Sequence, residues 1–105
     1  MATRTKRVTA PGKLGTVASE MKTMLTGVSG LRFVHRRLPV IGIELVLERR
    51  SDEQLRLAIA RADRAPASDE LAALAAAFGV PDGCEWGGSL RGRSLFVSEI
   101  LWRER

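Results

Sequence analysis

The chain has 105 residues, 45% hydrophobic and 28% charged, and its 17 Lys and Arg against 12 Asp and Glu give a net charge of +5 with the one His neutral. These values are ordinary for a globular chain, and the length fits one domain with a single core. The single cysteine, Cys84, excludes an internal disulfide and a zinc site built from several thiolates of one chain. No apolar run approaches the roughly 18 residues that a membrane helix needs.

The positive charge is concentrated at the N-terminus. The first 13 residues contain no acid and four bases, Arg4, Lys6, Arg7 and Lys13, which leaves a net charge of only +1 for the rest of the chain. We predict a basic arm over residues 1–13, with a break at Pro11–Gly12, and a single domain over residues 14–105. Such an arm is typical of proteins that bind nucleic acid or nucleoprotein, and also of a solubilising tail. It does not resemble a secretory signal, and a cytoplasmic location is expected.

A helical pattern follows the arm. Apolar residues at helical spacing lie on one face, namely Leu14, Val17, Met21, Met24 and Val28. Thr16 is the predicted N-cap and Gly27 the residue after the C-cap, which gives a helix near residues 16–26. The two Met residues suit either the core or an adaptable binding face.

Two strands are predicted next, over residues 31–37 and 40–49. Period-two alternation rich in Ile, Val and Leu is clearest between Val40 and Glu48. Pro39 marks a break between the two, because proline donates no hydrogen bond to a sheet. If the strands form a hairpin there, Arg36 and Arg37 lie near its turn and Arg49 and Arg50 near its far end, so one continuous basic patch is not guaranteed.

Two helices are then expected on either side of Pro66. The run Ser51-Asp52-Glu53-Gln54 matches a capping box, and a stripe follows it at Leu55, Ala58, Ile59 and Ala62. The second helix has Ser68 as its predicted N-cap, apolar residues from Leu71 to Phe78, and Gly79 at its C-terminal end.

The C-terminal third returns to β structure. A short strand is predicted at residues 84–87, a glycine-rich loop from Gly87 to Arg93, and a strand over residues 94–103. The loop lacks the P-loop pattern, and its glycines with Arg91 and Arg93 fit a strand connector better than an anion-binding nest. The fold class is therefore α+β, with a small antiparallel sheet of about four strands and two to three helices packed mainly on one face.

The sequence offers little for catalysis. His35 and Cys84 are the only His and Cys, and neither lies in a recognisable nucleophile motif. Acidic residues lie mostly where helices are predicted to begin, and no set has the spacing of metal ligands. A small toxin-like hydrolase using His35 is the third hypothesis; no enzyme activity, metal or cofactor is predicted.

The leading hypothesis is a small non-enzymatic protein that binds nucleic acid or a nucleoprotein complex. Its predicted contacts are the basic residues Arg4, Lys6, Arg7, Lys13, Arg36, Arg37, Arg91 and Arg93. The alternative is a protein–protein interaction module, such as a regulator, an inhibitor or a subunit of a larger assembly or homo-oligomer. Its predicted partner surface consists of Met21, Met24, Trp86, Phe96 and Trp102. No membrane partner is expected.

Overall fold

The chain folds into one antiparallel sheet with two helices. The computed structural model describes the backbone of residues 2–91 and 95–104, and the side chains of residues 14–88 and 95–104. In chain order the elements are α1 (Ala2–Gly27), β1 (Phe33–Leu38), β2 (Ile43–Arg49), β3 (Gln54–Arg61), α2 (Ser68–Phe78), β4 (Gly87–Arg91) and β5 (Leu95–Arg103). The strand order is β1-β2-β3-β5-β4, and every neighbouring pair is antiparallel. The predicted α+β class is confirmed; the described sheet has five strands.

Both helices cover the same face of the sheet, and the core lies between. Side chains alternate between the two faces along each strand, and the strand register aligns one residue from each of β1, β2, β3 and β5 in a row, namely Val34, Leu47, Leu57 and Ile100. These four side chains are all buried. The helices complete the core with Ala18, Met21 and Leu25 from α1 and Leu74 and Phe78 from α2. We call the opposite side of the sheet the open face, since neither helix contributes to it.

Helix α1 is longer than the sequence pattern predicts. It begins at Ala2, so the predicted start at Thr16 is wrong, and the predicted arm with a break at Pro11–Gly12 is not confirmed. Ala, Arg and Lys in this segment are good helix formers, and the helix continues through Pro11 and Gly12 although these two residues together disfavour a helix interior by about 4 kcal/mol. The predicted apolar stripe is also too wide: Met24 and Val28 are about half exposed.

Strand β3 replaces a predicted helix. Residues Gln54–Arg61 form the central strand, so the helix predicted after Ser51 is wrong. The Ser51 hydroxyl does accept a hydrogen bond from the Gln54 amide at 3.2 Å, but this bond closes the turn between β2 and β3. Such side-chain bonds are common to caps and turns, and therefore do not distinguish them. Burial alternates instead, with Leu55 and Leu57 turned toward the helices.

Helix α2 matches its prediction closely. It spans Ser68–Phe78, with the N-cap at Ala67, one residue before the predicted position. The Glu70 carboxylate accepts the Ala67 amide at 2.9 Å, and thereby takes up one of the free N–H groups at the helix start. Gly79 has a φ of +75°, and the following amide donates to the Ala75 carbonyl at 2.9 Å. This is the glycine C-cap expected from the sequence.

The glycine-rich segment is also a strand in part. Gly87–Arg91 forms the edge strand β4, so the predicted strand at residues 84–87 is displaced and the predicted loop from Gly87 is wrong up to Arg91. Gly87 and Gly88 lie opposite Glu99 and Ser98 of β5. An edge strand has one free side and tolerates weak strand formers, since its position is set by the neighbouring strand.

One buried arginine joins three parts of the fold. Arg61, whose side chain is 9% exposed, donates to Asp63 at 3.0 Å, to Glu70 at 2.8 Å and to the Ile41 carbonyl at 3.2 Å. The end of β3, the start of α2 and the turn between β1 and β2 are thereby connected. The Arg61 hydrogen bond holds the pKa of Asp63 below its ordinary value. The pKa of Glu70 is lowered mainly by the hydrogen bond from Arg64.

Candidate anion-binding cleft

An open cleft lies at the C-terminal end of α1. It has a volume of about 590 Å³ and lies between residues 25–32, at the end of the helix and the entry to β1, and residues 49–52, at the end of β2. We call it the arginine cleft, because Arg32, Arg49 and Arg50 all line it. Its apolar wall consists of Leu25, Val28 and Leu31.

The backbone fixes the two sides of the arginine cleft. The Arg49 amide donates to the Arg32 carbonyl at 2.8 Å and so extends the β1–β2 pairing by one residue beyond β1. On the other side, the Arg50 amide donates to the Gln54 carbonyl at 2.8 Å. Gly30 turns the chain out of the helix with a φ of +84°, which a residue with a side chain adopts only with strain. The three arginines are therefore placed by turns and by strand register.

The arginines of this cleft have no carboxylate partner. Within the described residues, no carboxylate oxygen lies within 4.0 Å of the guanidinium nitrogens of Arg32, Arg49 or Arg50, whereas nine Lys or Arg ion pairs are formed elsewhere. Arg49 donates instead to the Asp52 backbone carbonyl at 3.3 Å. Asp52 is the only acid that lines the cleft, and an excess of two positive charges results. An anion with several acceptor oxygens fits this arrangement, because guanidinium groups bind phosphate and carboxylate in forked pairs.

The nearby end of α1 gives these arginines a second, structural use. The C-terminal end of a helix carries partial negative charge, and the last turn of α1 contains no base. Arg32 and Arg49 line the cleft beside this helix end, where positive charge is favourable. Two arginines facing each other across neighbouring strands also repel, and a bound anion relieves that repulsion.

The predicted contacts Arg36 and Arg37 lie elsewhere and are neutralised. Arg36 is on the helix-covered side of β1, where it donates to Glu20 of α1 at 2.9 Å. Arg37 is on the open face and donates to Glu44 at 3.3 Å. Successive residues of a strand point to opposite faces, so these two side chains do not form one patch. Each of them already has a carboxylate partner within the protein, and their role as nucleic-acid contacts stays a prediction.

The other predicted basic contacts cannot be placed at side-chain level. Arg4, Lys6, Arg7 and Lys13 belong to the N-terminal half of α1, and Arg91 is the last residue of β4. Their side chains lie outside the described residues. Arg93 lies outside them altogether.

The predicted partner surface is divided between core and surface. Met21 is fully buried and Trp102 is 4% exposed, so neither side chain is available to a partner, and this part of the prediction is corrected. Met24 is half exposed, while Trp86 and Phe96 are partly buried. The Trp102 indole N–H is buried with no hydrogen-bond partner among the described residues.

His35 and Cys84 are not brought together. His35 lies on the open face of the edge strand β1, where its Nε2 is 3.3 Å from Glu44 Oε1. Cys84 precedes β4, at the other edge of the sheet, and packs against the core on the helix-covered side. In the described part of the chain, no group of three or more His, Cys, Asp and Glu is arranged to hold a metal ion.

The sequence contained a signal for the arginine cleft that the prediction did not use. Arg49 and Arg50 end the best-predicted strand, and a hairpin around Pro39 places Arg32 opposite them. Strand register thus indicates the cluster. The absence of a carboxylate partner depends on where Glu20, Glu44 and Glu53 lie in the fold.

Comparison with protein-family models, with curated proteins and with solved structures finds no match. Of the helices in the described residues, none combines the length and apolar character needed to cross a bilayer.

Proposed function

We propose that this protein is a non-enzymatic binding protein that engages nucleic acid through phosphate groups held in the arginine cleft. One observation carries the proposal: three arginines line the same cleft without a carboxylate partner among the described residues. Phosphate contacts by Arg and Lys supply most of the non-specific affinity for nucleic acid. The basic N-terminal half of α1 adds four further positive charges to the attraction.

The test compares two double variants of equal charge. Arg32→Ala/Arg50→Ala removes two exposed cleft arginines, and Arg37→Ala/Arg103→Ala removes two exposed arginines that are paired with Glu44 and Glu53. Arg49 is left in place, because its hydrogen bond to Asp52 supports the turn. The affinity for a labelled single-stranded oligonucleotide is measured by fluorescence anisotropy over a series of salt concentrations.

The cleft variant is expected to bind more weakly and to show a shallower salt dependence. Two lost phosphate contacts reduce the slope of log affinity against log salt by about 1.4, at roughly 0.7 per contact on a single strand. The control variant is expected to keep the slope of the unaltered protein. Equal reductions in both variants contradict a specific role for the cleft and indicate bulk charge alone.

A second candidate function, a protein–protein interaction module, is favoured by one other observation. The turn between β1 and β2 presents Val40 at 91% and Ile41 at 48% exposure, whereas the turn between β2 and β3 carries Ser51, Asp52 and Glu53. Exposed aliphatic residues at a turn are unusual, since turns are normally polar. If neither DNA nor RNA binds at low salt, the nucleic-acid proposal fails, and this candidate takes its place.

A further inference from the structure

We infer that the ligand is a long polyanion that lies along α1 and contacts both the arginine cleft and the basic N-terminal half of the helix. This inference rests on the proposed function and specifies its ligand: a strand of many nucleotides, as opposed to a mononucleotide or a free phosphate. The observation behind it is the continuity of α1 from Ala2 to Gly27. A helix fixes the distance between two basic regions that a flexible arm would leave undefined.

The helix is held firmly on the sheet by its C-terminal half. Ala18, Met21 and Leu25 are buried in the core. Glu20 pairs with Arg36 at 2.9 Å, and the Lys22 ammonium lies 3.0 Å from Glu104. The C-terminal half therefore sets the direction of α1 as far as Pro11, and the backbone of residues 2–10 continues beyond it as helix.

The two basic regions lie at opposite ends of this helix. The cleft is at its C-terminal end, and the four bases of residues 2–13 are in its N-terminal half. At 1.5 Å per residue, Lys6 and Gly27 are about 30 Å apart along the axis. That span corresponds to about nine nucleotides at the 3.4 Å spacing of one strand of a duplex.

The stretch of α1 between the two regions does not repel an anion. From Thr16 to Gly27 the helix contains one acid, Glu20, and Arg36 neutralises it. The exposed residues of this stretch include Ser19, Thr23 and Met24, which are uncharged. Over this stretch, α1 itself therefore presents no unpaired carboxylate to a polyanion.

Length dependence tests the inference. Oligonucleotides of about 4 and about 16 nucleotides, as DNA and as RNA, are bound to the full chain, to Arg32→Ala/Arg50→Ala and to Lys6→Ala/Arg7→Ala. Alanine preserves helix propensity at positions 6 and 7. The variant Arg37→Ala/Arg103→Ala again serves as the charge-matched control.

The short strand is expected to reach only one region. Its affinity is expected to fall in the cleft variant and to stay within the control range in Lys6→Ala/Arg7→Ala. The long strand is expected to bind at least about tenfold more tightly than the short one, because its second contact is intramolecular. The variants Arg32→Ala/Arg50→Ala and Lys6→Ala/Arg7→Ala are each expected to abolish most of this gain in affinity.

The possible failures are distinguishable. If neither strand binds, the proposed function itself is wrong. If both strands bind equally and Lys6→Ala/Arg7→Ala has no effect on either, the proposed function stands and the extended ligand is wrong. If Lys6→Ala/Arg7→Ala weakens both strands by the same factor, the two regions are not separated along the ligand, and the inference is again overturned.

Discussion

Replacing Leu57 by Ala is expected to lower the free energy of unfolding by about 2–5 kcal/mol, the usual cost of truncating a fully buried leucine. Leu57 is 0% exposed and lies in the central strand β3, between Leu47 of β2 and Ile100 of β5. The cavity left behind lies in the packed core between two neighbouring strands, so little relaxation can fill it. Chemical denaturation with urea, followed by circular dichroism, measures the loss.

The matched control for this prediction is Ala62→Ser. Ala62 is exposed just beyond the end of β3, and its replacement is expected to change stability by no more than about 0.5 kcal/mol. The helix predicted after Ser51 places Ala62 in its apolar stripe and Leu57 outside it, so it predicts a larger loss of stability from Ala62→Ser than from Leu57→Ala. If Leu57→Ala does not fold, Ile59→Val in the same strand gives a measurable loss of about 0.5–1.5 kcal/mol.

Replacing Arg61 by Ala is expected to cost about 2 kcal/mol, since its removal takes a donor from three acceptors at once, of which Glu70 keeps other donors, from Arg64 and the Ala67 amide. The carboxylates of Asp63 and Glu70 regain water in part, which keeps the cost below that of a fully buried pair. The Ile41 carbonyl loses its side-chain donor at the turn before β2. Arg64→Ala is the control, because Arg64 bonds to the same Glu70 but is 48% exposed, and a much smaller loss is expected.

The Arg61 prediction also has a pH dependence. Folding lowers the pKa of Asp63, mainly through the hydrogen bond from Arg61, so the contribution of this pair to stability is present above the ordinary carboxyl pKa and is lost as the pH falls below it. The pKa of Glu70 is lowered mainly by Arg64, which the variant retains. The difference in unfolding free energy between the unaltered protein and Arg61→Ala is therefore expected to shrink in acid. A difference that stays constant from neutral pH to about pH 3 contradicts the ion-pair account.

The elements predicted correctly are those defined by local signals. Helix α2 has acids in its first turn, apolar residues at helical spacing and Gly79 at its end, and all of these act within 12 residues. Strand β2 alternates over its whole length. The prediction for β3 was wrong because Gln54–Arg61 is rich in Leu, Ala and Arg, which favour a helix. Only pairing with β2 and β5 makes this segment a strand.

The candidate site could be predicted only in part, for a related reason. Strand register alone places Arg32 beside Arg49. Which arginines are neutralised depends on contacts between residues far apart in the chain, such as Arg56 with Glu99, 43 positions away, and Arg103 with Glu53, 50 positions away. Sequence spacing carries no information on such pairs, so Arg36 and Arg37 were predicted as contacts and the cleft arginines were not.

The location of the bound phosphates is the central claim, and backbone amide chemical shifts test it most directly. On titration with an oligonucleotide of about four nucleotides, the account predicts that the largest shift changes fall within residues 28–32 and 49–52, which line the arginine cleft. Changes concentrated at Val46, Val97 and Leu101 on the open face, or no changes at saturating oligonucleotide, contradict it.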